Sequence, residues 1–148
     1  MKFLNSFLKT DSDKTTAIIR FIVGYVFITE GIQKFVFNES LGVGRFTKIG
    51  IPWPEIMAPF VGGCEIIFGS FILIGFLTRI ATIPQIIIMI VALGSTKFSI
   101  LMEKGLLTFS HEARNDLLML FGLVFILLKG VGANSIDKKL FNQKRDLL

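Results

Sequence analysis

Five ionisable side chains stand inside or beside long apolar runs: Glu30, Lys34, Glu65, Glu112 and Asp116. Such groups are costly within a membrane segment and usually face protein or water, where they mark ligand or proton sites. Glu30 and Lys34 are four residues apart in the order that favours an ion pair on a helix. Glu112 and Asp116 share the same spacing and hence one helix face. Glu65 has no cation near it in sequence, so its partner must come from another helix, or it carries a proton. A carboxylate and an ammonium that converge in an apolar bundle could bind a polar head group and pass protons. They could equally act as structural glue between helices, and the sequence leaves both readings open. Specific catalytic residues are not assigned.

The elements that would position these groups are helices in a bilayer. The chain has 148 residues, of which 52% are hydrophobic and 16 are Phe, and the apolar residues come in blocks rather than in alternation. About 20 apolar residues cross the hydrocarbon layer as a helix. That length predicts spans over 15–37, 54–76, 80–96 and 112–128 within a single domain, 1–148. The predicted fold is all-α, an integral membrane four-helix bundle. Short interfacial helices are expected at the termini or in the first outer loop. At about 100° per residue, Arg20, Gly24, Phe27, Glu30, Gly31 and Lys34 form one stripe of the first span, which should look inward. Ala58, Gly62, Glu65 and Gly69 form a comparable stripe on the second, with small residues at the spacing that lets helices approach closely.

The connections follow from local chemistry. Gly42, Gly44, Gly50 and Pro52 mark the 38–53 stretch as a loop, read as a lid over the bundle mouth. GFLTR at 75–79 is a tight turn between the second and third spans, and 97–111 is read as a second outer loop. The segment GVGANSID ends the fourth span, after which Ser135 can cap a short basic amphipathic helix. The leader 1–14 has the spacing of an interfacial turn or two, with a frayed terminus as the equal alternative. Arg20 is read as a snorkelling anchor. Lys and Arg number ten on the side of both termini and the 75–79 turn, against six on the other. That bias places both termini in the cytoplasm. The net charge of +5 is spread over segment ends, which points to lipid head groups and not to nucleic acid. One cysteine, Cys64, and one histidine, His111, give no disulfide and no metal site.

With those residues placed, the chain resembles the DoxX family of small bacterial membrane proteins. The matching pieces are Arg20–Phe21 with Gly24, then Gly31 and Lys34 in EGIQKF, then Phe46 and Gly50–Pro52 in FTKIGIP. Glu65 and Gly69 follow in CEIIFGSFILIGFLTRIA, and GVGANSID closes the series. Relatives often carry His where this chain has Glu30, so a His-based role at that position does not transfer. The resemblance implies a bacterial cytoplasmic (inner) membrane location. It also implies an accessory or quinone- or lipid-binding subunit of a membrane-associated redox system, because the family name comes from a subunit of a thiosulfate:quinone oxidoreductase. A quinone, a soluble oxidoreductase and a second copy of the chain are the ligand and partners it suggests. The alternative is a non-enzymatic small-solute carrier or a structural membrane module.

Overall fold

The structure is a computed structural model that describes residues 14–145. Apart from Lys14, the leader expected to form an interfacial turn lies outside the described residues. The described residues fold into α1 (Lys14–Val36), α2 (Val43–Lys48), α3 (Pro54–Ile74), α4 (Thr78–Thr96), α5 (Phe98–Lys129) and α6 (Ile136–Arg145). The all-helical architecture expected from the sequence is what the described residues form. Among the described residues, three helices, α1, α3 and α4, are long and apolar enough to cross a membrane.

Helix α1 packs most extensively on α3, α4 packs on both α3 and α5, and α5 reaches back to α1. The shared core is built from Val23 and Phe27 of α1, Ile72 of α3, Met89 of α4, and Leu123 and Ile126 of α5. The outer faces carry Phe21, Ile22, Ile67, Ile87, Ile90 and Phe121 in the open. In water such a surface would be an association hazard. Against hydrocarbon it is the natural exterior.

Local residues explain where the helices begin and end. Pro54 opens α3, where a missing N–H has no cost. Gly75 ends it with φ of 74°, a left-handed position glycine adopts without strain. Within 38–53, the side chain of Asn38 accepts the N–H of Val43 at 3.0 Å, and α2 forms in the middle of the expected loop. Ser135 Oγ accepts the N–H of Lys138 at 3.3 Å, at the start of α6.

The stretch 97–111 departs from expectation. It is helical from Phe98 onward, and α5 runs through it with one break at Gly105 (φ 80°, ψ 175°). Glu103, Lys104 and Gly105 together suggest a loop. Only Gly105 leaves helical geometry, because the flanking residues are good helix formers and their charges can stay in solvent. The expected fourth span, 112–128, lies inside the longer α5.

Candidate functional site

The α1–α3 contact is made by glycines facing each other at two levels. A Cβ on Gly24 would lie 2.7 Å from the Leu73 nitrogen, and one on Gly31 would lie 2.6 Å from the Gly62 carbonyl oxygen. Neither gap is wide enough for a side chain, so the two backbones touch. Close approach brings the next residues of each stripe together. A Cβ on Gly31 would lie 3.1 Å from Glu65 Cβ, and one on Gly62 would lie 3.4 Å from Lys34 Cβ, so each charged residue stands against the other helix's glycine.

Lys34 Nζ lies 2.6 Å from Glu65 Oε2 and 3.9 Å from a carboxylate oxygen of Glu30. Glu65 is 4% exposed, whereas the Glu30 side chain is 52% exposed. The cluster therefore has a buried end and an open end. The Lys34–Glu65 contact is a close ion pair, with both side chains largely withdrawn from solvent. Charge attraction at short range in a low-dielectric setting holds it.

A residue not singled out as a site candidate supports this cluster from α4. Gln85 is fully buried, and its Nε2 donates to the carbonyls of Cys64 and Glu65, each at 3.3 Å. It fixes α4 against α3 at the level of Glu65. The sequence signal was a lone amide in the apolar run after Pro84, which is easily passed over.

Glu112 and Asp116, the other two candidates, are not joined to this cluster by any ion pair among the described residues. Glu112 reaches Lys97 Nζ at 3.9 Å instead. Arg114 donates to the His111 backbone carbonyl at 3.2 Å and contacts its ring. Fifteen residues of straight helix would hold Lys97 and Glu112 about 22 Å apart, so it is the break at Gly105 that lets the chain turn back and bring them together. Among the described residues, no group of three His, Cys, Asp or Glu side chains is placed to hold a metal ion.

Arg20 departs from the expected snorkelling anchor. It is 5% exposed, and its guanidinium donates to the carbonyls of Val131 at 2.9 Å and Asn134 at 3.0 Å. Asp137 completes this second charged site. Its carboxylate accepts the N–H groups of Leu77 at 2.7 Å and Thr78 at 3.0 Å, and so caps α4 from a distant part of the chain. Its own N–H donates to the Gly75 carbonyl at 2.9 Å. A Cβ on Gly75 would strike both the Arg20 guanidinium and Ser135. GVGANSID is thus a latch across the end of the bundle opposite Lys34. The sequence placed Arg20 at that end but had no way to pair it with carbonyls more than a hundred residues away.

The DoxX family model matches residues 15–101. That stretch holds α1 through α4 and therefore both glycine contacts, Lys34, Glu65 and Gln85. The chain is 42% identical over 139 residues to the uncharacterised membrane protein Rv3486 of Mycobacterium tuberculosis, covering 90% of this chain and 85% of that one. It is 27% identical over 131 residues to CatD of Bacillus subtilis, whose name proposes an oxidoreductase, covering 88% and 90%. No solved structure matches. On the family match and the extent of the similarity to Rv3486, this chain belongs to the DoxX family.

Proposed function

We infer that the protein is a quinone- or lipid-binding accessory subunit of a membrane-associated redox system, with the Lys34–Glu65 pair as its site. The observation that carries this reading is the pair itself: an ammonium and a carboxylate 2.6 Å apart, buried between two apolar helices. Replacing such a pair by packed apolar side chains is often neutral or stabilising. Its presence is therefore poorly explained by stability alone and better explained by use. The oxidoreductase name of the related CatD points the same way.

The residues fit a quinone head group. The ammonium of Lys34 offers N–H donors to a ring carbonyl oxygen, and Glu65 offers a proton acceptor beside it. A bound quinone would supply the two-electron, two-proton chemistry. The chain's part is to orient the ring, exclude water and hold or release a proton at Glu65. Glu30, half open and within 3.9 Å of Lys34, gives that proton a way to the surface. The electrons would come from a soluble oxidoreductase docked on the membrane face.

In this reading the C-terminal part of α5 makes the fourth crossing. The protein then sits in the bacterial cytoplasmic membrane with both termini in the cytoplasm, in keeping with the excess of Lys and Arg on that side. A solute carrier is the less favoured reading, because the Arg20 latch ties the opposite end of the bundle to its own backbone.

The test is to purify the full chain in mild detergent and analyse its extracted lipids for quinone by chromatography and mass spectrometry. Wild type should retain quinone in near-stoichiometric amount, and Glu65→Gln and Lys34→Met should lose it while remaining folded. Absence of quinone from the wild type, with no change in any bound lipid in either variant, would sink the reading.

A further inference from the structure

A second feature lies at the Lys34 end of the bundle, separate from the ion pair. The loop after α1, the short helix α2 and the end of α4 border a half-open surface cavity of about 500 Å³. Glu39, Ser40, Arg45, Lys48, Ile49 and Thr96 line it. Two of its hydroxyls are already committed. Ser40 donates to the Phe37 carbonyl at 3.4 Å, and Thr96 donates to the Ala92 carbonyl at 2.6 Å. The charges are not committed. Among the described residues, Glu39, Arg45 and Lys48 make no ion pair with one another or with any other side chain, although all three border one cavity.

The cavity's level in the membrane narrows what it would take. It sits where α1 and α4 end and where α3 begins. Trp53, in the same connection, is 70% exposed, and tryptophan at a span end favours the head-group layer. A cavity there with two cations and one anion is complementary to a phosphate that carries a neighbouring amine. Arg45 and Lys48, three residues apart on α2, suit the phosphate oxygens, Arg by its fork of donors and Lys as a point charge. Glu39 suits the ammonium. A simple anion would leave Glu39 opposed to it, and a simple cation would meet two like charges.

We propose that this cavity binds a phosphoethanolamine-type group, a phosphate and an amine together, through Arg45, Lys48 and Glu39. Two sources share that chemistry: the head group of phosphatidylethanolamine, and free phosphoethanolamine in solution. The assignment is independent of the quinone reading, because no residue is shared between the two sites.

The experiment uses the full chain reconstituted in nanodiscs of equal phosphatidylethanolamine and phosphatidylglycerol. These are transferred to detergent, and the lipid still bound is counted by native mass spectrometry. A parallel arm measures the thermal midpoint of the delipidated protein with and without millimolar phosphoethanolamine. Wild type should retain phosphatidylethanolamine over phosphatidylglycerol by about tenfold, the ratio that one lost charge-assisted contact represents. Arg45→Gln with Lys48→Gln should abolish retention of both, and Arg45→Lys should restore part of it. Glu39→Gln should erase the preference and leave phosphatidylglycerol bound. Lys129→Gln, exposed at the far end of α5, should behave as wild type. A raised midpoint with phosphoethanolamine, lost in the Arg45–Lys48 double variant, supports the site with a soluble ligand as its source. Equal retention of the two lipids by wild type and double variant, with no shift from phosphoethanolamine, overturns the proposal. All the substituted residues are exposed, and circular dichroism confirms that each variant folds.

Discussion

The two ends of the bundle hold buried charge in opposite ways. At the Arg20 end, charged side chains bond to backbone: Arg20 to two carbonyls, Asp137 to two N–H groups. At the Lys34 end, side chain meets side chain, and the cluster runs from buried Glu65 to half-open Glu30. Backbone partners are fixed by the fold and cannot change protonation, so the Arg20 end suits a permanent latch. Side-chain partners can exchange, titrate or yield to a ligand. The difference teaches where to look for chemistry in this chain. Buried charge alone does not mark a functional site; the kind of partner does.

The largest effect should come from the contact on which the Lys34 end rests. Gly31→Leu would drive a side chain into the Gly62 carbonyl, which lies 2.6 Å from the Cβ position. Separating α1 from α3 should cost about 3 kcal/mol or more. Little folded protein should be recovered by size-exclusion chromatography, and a monodisperse wild-type-like peak would show that the helices do not touch there.

Next in size is the latch. Asp137→Ala leaves the N–H groups of Leu77 and Thr78 without their acceptor, at about 1–3 kcal/mol each. Thermal unfolding in detergent should fall by several degrees, yet retained quinone per folded molecule should stay at the wild-type level. Loss of quinone in step with stability would erase the functional contrast between the two ends.

The Lys34 end should show the reverse pattern. Glu65→Leu alone leaves Lys34 without its closest partner, a loss of about 3–5 kcal/mol when the remaining charge stays buried. Lys34→Met combined with Glu65→Leu should recover most of that stability in the same unfolding assay, but no quinone. A double variant as unstable as the single one would return the pair to the role of structural glue. The smallest effect belongs to Glu30→Gln. Its side chain is half exposed, and surface pairs contribute roughly 0–1 kcal/mol. Stability should hardly move, while the rate of proton uptake on reduction of retained quinone should fall, as read by a pH-indicator dye.

Much of this architecture is legible in residue type and spacing. Apolar blocks of membrane length make helices, Gly75 and Pro54 punctuate them, and glycines at helical spacing mark the faces that meet. Glu30 and Lys34 could be paired by counting, because four residues is one helical turn. Asp137 shows the limit. Near Ser135 it reads as a cap for its own helix, α6, yet it caps α4, whose N-cap residue Leu77 has no side chain able to do so. The choice depends on where GVGANSID lands. Glu112 shows the same limit: its spacing to Asp116 put both on one face, but Lys97 came within reach only because the chain turns at Gly105.

By itself, then, the sequence determined an all-helical membrane protein with an inward polar stripe. Those properties depend on periodicity and hydrophobicity, which are local and additive along the chain. The tertiary structure alone decided which charge meets which: Lys34 with Glu65, Arg20 with carbonyls of the latch, Gln85 with the backbone at Glu65. Such partnerships are set by helix rotation and the closeness of backbones. Both hinge on contacts such as Gly31 against Gly62, made between residues far apart in the chain.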